Sequence, residues 1–180
     1  ATTSGTVYFN IDKSGPSVSI TSPGQGSFHN AVTTLSGTAS DINSLKKFDH
    51  DANGGTADVE AVEVIESSNG TIRYAQVVAG SWSISLSPAN YPALAYNGAA
   101  DGNKQFTVKA TDTFGKITQL PFSMVEDATA PLVTIDQPQA TDWLSGTSST
   151  VVGSTSDVTS GISTVEIRID ANGDADFADG

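Results

Sequence analysis

The 180-residue chain holds no cysteine, which excludes disulfides, thiolate metal sites and cysteine nucleophiles. Basic residues are scarce as well, with 8 Lys and Arg against 20 Asp and Glu and a formal net charge of -12. A phosphate-binding surface would have to be built against that field, so nucleic acid is not expected as a partner. No apolar run approaches the roughly 20 residues that a spanning helix needs, and no membrane span is expected. The opening ATTSGTVYFN lacks a basic segment followed by an apolar one, and reads as the start of a processed or excised piece. Helical periodicity is nearly absent. Only His29 and His50 represent histidine, and no G-x-S-x-G elbow, phosphate loop or H-E-x-x-H helix is found, so the chain is not expected to be an enzyme. Paired carboxylates could serve glycoside hydrolysis, but calcium accounts for the same Asp residues more directly. Hydrophobic residues make up 37%, a lean supply that suits one domain plus a fragment, or two small domains.

Present instead are short alternating stretches rich in Val, Ile, Thr and Ser, separated by Gly, Asn, Asp and Pro clusters. They read as an all-β antiparallel sandwich. Strands are expected at 18–20, 32–35, 61–64, 82–86 and 106–110, with a final one at 120–124. In the last, Pro121 is tolerated only where its missing N–H faces away from a neighbour. Ser68-Asn69-Gly70-Thr71 lies between two runs, where Asn-Gly suits a two-residue type I′ hairpin. Trp82 and Trp143 read as core or end-capping residues.

The chain repeats itself. Gly15-Pro16-Ser17-Val18-Ser19-Ile20 matches Ala130-Pro131-Leu132-Val133-Thr134-Ile135, and Gly37-Thr38-Ala39-Ser40-Asp41 matches Gly153-Ser154-Thr155-Ser156-Asp157, both about 115 residues apart. A third match, Val62-Glu63-Val64 with Val165-Glu166-Ile167, is closer by about a dozen residues. The first copy therefore carries an insertion at about 44–60. Residues 1–14 read as the last strand of a preceding repeat and a linker, 15–127 as one complete domain, and 128–180 as the N-terminal part of a second.

The pattern Asp-x-x-x-Pro-x-Val-x-Ile at 12–20 and 127–135, the Gly-Thr-Ala-Ser-Asp ending at Asp41, Trp82-Ser83 and Ala110-Thr111-Asp112-Thr113-Phe114-Gly115 resembles the tandem bacterial Ig-like domains of large repetitive, calcium-dependent surface adhesins. Lys116 stands where that family usually has Asn. The resemblance implies Ig-like sandwich repeats, one complete and one incomplete, at an extracellular, bacterial cell-surface location. It also implies neighbouring repeats of the same chain as partners and calcium at domain junctions.

The insertion itself carries the sharpest motif. Residues 49–60, DHDANGGTADVE, fit D-x-[DN]-x-[DN]-G-x5-E at every required position. Oxygens of Asp49, Asp51 and Asn53 converge as the chain curls, Gly54 permits the turn, the Gly55 carbonyl contributes, and Glu60 closes the sphere. Thr56 at position 8, and a strand following Glu60, argue for a lone calcium loop inside a β-domain instead of a paired helical sensor. The plain alternative is an Asp/Asn/Gly turn. Asp170, Asn172, Asp174 and Asp176 form a second acidic loop with alternate oxygens, lacking the Gly at position 6 and a closing Glu. Ig-like geometry gathers Asp12, Asp41 and Asp112 at the end where the chain enters, where a cation, helped by Lys13 and Lys116, would offset their repulsion. The matching set in the next copy begins with Asp127 and Asp157, with Glu126 as a further candidate. The alternative for each Asp is a turn cap. Tyr91 and Tyr96 could form an exposed aromatic patch for a carbohydrate.

Two functions follow from different classes. One is a calcium-rigidified spacer that projects a distant adhesive tip. The other is a module gripping a glycan or a host or cell-surface protein through the insertion and the Tyr91 to Tyr96 segment, with an accessory module of a secreted enzyme as a weaker variant.

Overall fold

The structure, a computed structural model, describes residues 14–41, 59–139, 142 and 149–168. The chain divides into two compact units between Ala128 and Thr129. Among the described residues of the first unit there are nine strands: β1 (Ser17–Ser22), β2 (Phe28–His29), β3 (Thr33–Ser40), β4 (Val59–Glu66), β5 (Ile72–Tyr74), β6 (Gln76–Val78), β7 (Ser81–Leu86), β8 (Gly102–Asp112) and β9 (Ile117–Glu126). They form two sheets, of order β1-β3-β7-β6 and β2-β9-β8-β4-β5. Every pairing is antiparallel except that of β2 with β9. The first segment thus serves both sheets, β1 in one and β2 in the other, and the arrangement is that of an Ig-like sandwich.

Alternation decides which residues face the core. On β3 the inward positions are Leu35, Gly37 and Ala39; on β7 they are Trp82, Ile84 and Leu86. The opposing sheet supplies Val62 and Val64 from β4, Phe106, Val108 and Ala110 from β8, and Phe122 and Met124 from β9. Each large side chain withdrawn from water in this way contributes about 1.5–3 kcal/mol. Trp82 is buried, as its place in the alternation requires, and its indole N–H donates to the Thr38 carbonyl at 3.2 Å. Trp143 lies outside the described residues.

The outward positions of the four-stranded sheet are almost all hydroxyls. The rows Ser19, Thr38, Ser81 and Ser36, Ser83 run across neighbouring strands. Gly37 is demanded by close approach: a Cβ there would stand 1.8 Å from the Ser19 carbonyl oxygen, at the point where β1 bulges between Ile20 and Ser22.

Each strand expected from alternation lies within or overlaps an observed one, but β2, β5 and β6 are too short to carry a periodic signal. Pro121 pairs with Thr107 of β8, while β2 reaches only Val125 and Glu126 on the other side. The ring therefore occupies an edge position. A hairpin does join β4 to β5, but its turn is not type I′. Only Gly70 has positive φ, at 71°, and Asn69 does not. The Glu66 N–H donates to Thr71 O at 2.9 Å and Gly70 N–H to Glu66 O at 2.9 Å, leaving a four-residue loop. The Asn69 side chain accepts from Thr71 N–H at 2.8 Å, so it stabilises the loop through its amide oxygen instead of a left-handed backbone.

In the second unit β10 (Leu132–Gln137) and β11 (Val152–Ser156) pair antiparallel. Their register reproduces that of β1 and β3, including a bulge between Ile135 and Gln137. Gly153 stands where Gly37 does, with a virtual Cβ 2.1 Å from the Thr134 carbonyl. Val165 to Ile167, the match to β4, forms no strand. In the first unit β4 is held between β8 and β5, and among the described residues of the second unit no counterpart of either flanks this segment.

Candidate functional site

Both ends of the first sandwich collect acidic residues, and the strands explain why. β1 begins opposite the end of β3, with Ser17 paired to Ser40, and Gly15 abuts Thr118 and Ile117 at the start of β9. Asp41 follows β3, and Asp112 ends β8 opposite Val59. Asp41 and Asp112 therefore lie at the end where the chain enters, one from each sheet. Asp12, the third expected member, lies outside the described residues.

Asp112 continues the inward alternation of Val108 and Ala110 and is completely buried. Its Oδ1 accepts from the N–H groups of Phe114 and Lys116, both at 2.8 Å. Its own N–H donates to Lys116 O at 3.0 Å, and Gly115, at φ 80°, donates to Asp112 O at 3.1 Å. This is the turn-capping role for Asp. The other carboxylate oxygen, Oδ2, is buried with no hydrogen-bond partner, so one acceptor is left over at this end. Among the described residues no group of three or more His, Asp or Glu is close enough to hold a metal ion.

At the opposite end Glu126 closes β9, also in phase with the core residues Phe122 and Met124. It is fully buried. Its Oε1 accepts from Ala95 N–H at 3.1 Å and from Tyr96 N–H, while Lys104 Nζ stands 3.5 Å from Oε2 and donates to the Ala100 carbonyl. The segment from 87 to 101, between β7 and β8, is thereby strapped down by one carboxylate and one ammonium. A buried carboxylate is tolerated because charge and donors meet it there. Ala128 N–H donates to Asp101 Oδ1 at 2.9 Å, and Asp127 N–H to His29 O at 3.0 Å. Asp127 Oδ1 is buried without a partner.

Glu66, last on β4 and in phase with Val62 and Val64, is buried too, as is Asp41. Glu66 accepts from Ser68 N–H at 3.0 Å and thus steadies the β4–β5 loop. No motif spacing around Glu66 or around Lys104, the partner of Glu126, marks them as site residues. Parity would have found the acids, since each falls two residues beyond an inward apolar one at a strand end.

Asp157, in the second unit, caps a turn: its Oδ1 accepts from Thr159 N–H at 3.0 Å and Ser160 N–H at 2.9 Å. The Ser160 amide, with those of Thr159 and Gly161, holds the carboxyl below its ordinary value. Asp49, Asp51, Asn53 and Gly55 lie outside the described residues, as do Asp170, Asn172, Asp174 and Asp176. Of Glu60 only its place in β4 is described.

The expected exposed patch of tyrosines is corrected. Tyr91 has no exposed surface; its hydroxyl donates to Val64 O at 3.1 Å and its ring stands edge-on to Phe106 at 5.4 Å. Burial pushes its hydroxyl well above the usual tyrosine range. Tyr96 packs against the core, donates to Leu86 O at 2.9 Å, and has its pKa pushed up to about 12 by burial and by Glu126. Tyr91 and Tyr96 stand in a long loop before β8, yet both rings pack at the sandwich end against the core. Among the described tyrosines Tyr74, on the outer face of the five-stranded sheet, is largely exposed.

No family model and no curated protein sequence matches the chain. Among solved structures, an endo-β-1,4-mannanase from Thermotoga petrophila is similar over 66% of this chain and 21% of its own, at 12% identity and a TM-score of 0.45. Fibronectin(III)-like modules of Clostridium thermocellum CbhA are similar over 69% of this chain and 53% of theirs, at 16% identity and a TM-score of 0.38. The chain spans about a fifth of the first and about half of the second, and neither likeness is close enough to assign an activity.

Proposed function

We propose that this chain is a spacer segment of a repetitive bacterial surface adhesin, extracellular, without catalytic activity of its own, and stiffened by calcium. The observation that supports the reading best is the recurrence in the second unit of the β1–β3 register, its bulge and its obligatory glycine. Tandem copies of one Ig-like unit suit a molecule whose task is reach. The first unit also receives the chain at one end and releases it at the other, since β9 begins beside Gly15 and ends at Glu126. Its ten residues span about 30 Å.

Calcium enters this reading through the spacing of Asp49, Asp51, Asn53, Gly55 and Glu60, whose chemistry is that of a hard, oxygen-liganding site. Its partners are the neighbouring repeats of the same chain. The alternative, a module that grips glycan or protein directly, is weakened by the burial of Tyr91 and the core packing of Tyr96. Isothermal titration of the chain with calcium tests the spacer reading, with Asp51→Ala as the comparison. Heat of binding that disappears in the variant supports it; no binding at millimolar calcium removes the metal from the proposal. A glycan array showing specific binding by the isolated chain would transfer the function to the alternative.

A further inference from the structure

β2 lies against the C-terminal end of β9, where the first unit releases the chain, and the two run parallel, Phe28 beside Val125 and His29 beside Glu126. The backbone bonds between them form a short continuous ladder. Gly26 N–H donates to Ser123 O at 2.8 Å, Val125 N–H to Ser27 O at 2.9 Å, and Asp127 N–H to His29 O at 3.0 Å. The Gln25 side chain extends the ladder by two more bonds. Its Oε1 accepts from Ser123 N–H at 3.2 Å and its Nε2 donates to Ser123 Oγ at 3.0 Å. Beyond Ser123 the next residue but one is Pro121, which has no N–H to offer.

Tension applied through the chain pulls β2 back along its axis and β9 forward along its own. In parallel strands pulled this way the bonds lie across the load, and all five are strained together. An antiparallel pair pulled from adjacent ends opens one bond at a time. Forced unfolding is governed by the unfolding barrier, not by equilibrium stability, so bonds that must break in concert raise resistance to force out of proportion to their share of stability.

We propose that the segment 25–29 and the end of β9, 123–127, form a shear clamp that makes the first unit a tension-bearing element, with Gln25 as the side chain that lengthens it. The biological use of the clamp rests on the spacer reading, but the clamp itself depends only on strand geometry. β1 takes up load before it, through its pairing with β3. The strap held by Glu126 and Lys104 anchors the C-terminal end of β9 from the other side.

The absence of cysteine lets single-molecule handles be placed at will on the full chain. Ser17→Cys with Ala130→Cys loads the clamp in shear; Ser68→Cys with Ala130→Cys pulls at one end of the sandwich and opens β9 from its tip. The unit should resist markedly higher force in the first geometry. At fixed load along the first axis, Gln25→Ala should raise the unfolding rate about threefold to tenfold, the effect of losing one to two hydrogen bonds. Asn69→Ala, which removes a loop bond outside the load path, should lower thermal stability without raising that rate. Equal resistance in both geometries, or Gln25→Ala and Asn69→Ala acting alike per unit of lost thermal stability, would overturn the clamp. Repeating the measurement with calcium and with chelator keeps the two readings apart, because loss of calcium dependence counts against the metal and loss of direction dependence counts against the clamp.

Discussion

The hydroxyls of Ser19 and Thr38 meet at 2.7 Å across β1 and β3, and at the matching positions of the second unit Thr134 and Ser154 meet at 2.8 Å with the two residue types exchanged. The geometry thus asks for a hydroxyl on each strand and is indifferent to which carries the methyl. Exchanging the pair in the first unit, Ser19→Thr with Thr38→Ser, should leave the denaturation midpoint nearly unchanged. Thr38→Ala should cost about 0.2–1 kcal/mol, the range for an exposed cross-strand pair, measured by urea unfolding.

Gly37 makes the harsher prediction. A Cβ 1.8 Å from the Ser19 carbonyl and 2.8 Å from the Trp82 ring meets backbone on one side and a buried indole on the other, neither of which can yield. Gly37→Ala should destabilise the first unit by about 1–3 kcal/mol or more through overpacking, whereas Gly24→Ala, where nothing stands within 4 Å, should be tolerated. Thermal unfolding of the two variants gives the comparison.

The buried carboxylate of Glu126 should prove costly to alter. Glu126→Gln keeps the shape but leaves Lys104 without its charge partner and gives Ala95 and Tyr96 N–H a weaker acceptor. A loss of about 1–3 kcal/mol is expected, together with faster amide exchange at Ala95 and Tyr96. Exchange that stays slow at those two amides would mean that the strap is held by something other than the carboxylate.

Alkaline pH should act through buried Tyr91 and half-buried Tyr96. A tyrosine is neutral when protonated, and its folded pKa is raised here above the ordinary 10.0. The stability linked to that shift is present in full below pH 10 and is lost as pH rises through about 12, the value for Tyr96. Tyrosinate absorbance from Tyr91 and Tyr96 should therefore appear together with unfolding. Ionisation of both rings in a chain that keeps its near-ultraviolet circular dichroism would contradict their packing against the core.

Calcium at the inserted loop should stabilise the first unit by mass action. Sites of the extracellular kind have dissociation constants of about 10⁻⁴–10⁻³ M, so a tenfold excess adds about 1.4 kcal/mol. Asp51→Ala should abolish the rise in melting temperature, and chelator should act on the wild type alone.

What was legible in the sequence was whatever alternation and repetition could carry. Val62-Glu63-Val64, Trp82 to Leu86 and Phe106 to Ala110 declare a half-buried strand by period two, and the repeated Gly-x-x-Ser-Asp words locate β3 and β11. Strands of two or three residues, β2, β5 and β6, have no period to read; they are set by the neighbours that their chain passes. Asn69-Gly70 announced a turn correctly, but its type depended on how far the β4–β5 ladder ran. Tyr91 and Tyr96 look exposed in sequence because a long Pro-, Asn- and Gly-containing segment does so when its ends are unknown, whereas Glu126 and Lys104 fold it back over the core. The acidic residues gave composition but not role. Asp112 turned out to be a turn cap with one oxygen to spare, and nothing in its neighbours along the chain distinguishes that from a ligand.

The proline in β9 has a consequence for crowding. Chains that carry many similar units meet one another at high effective concentration, and an open sheet edge in such surroundings is a template for aggregation. On β9 the run available to a foreign strand is broken at Pro121, and the next backbone pair, the N–H and C=O of Ser123, is already occupied by Gln25 and Gly26. A stranger strand arriving there finds neither a continuous row of donors nor a free register, so this edge offers no template for joining one copy to another.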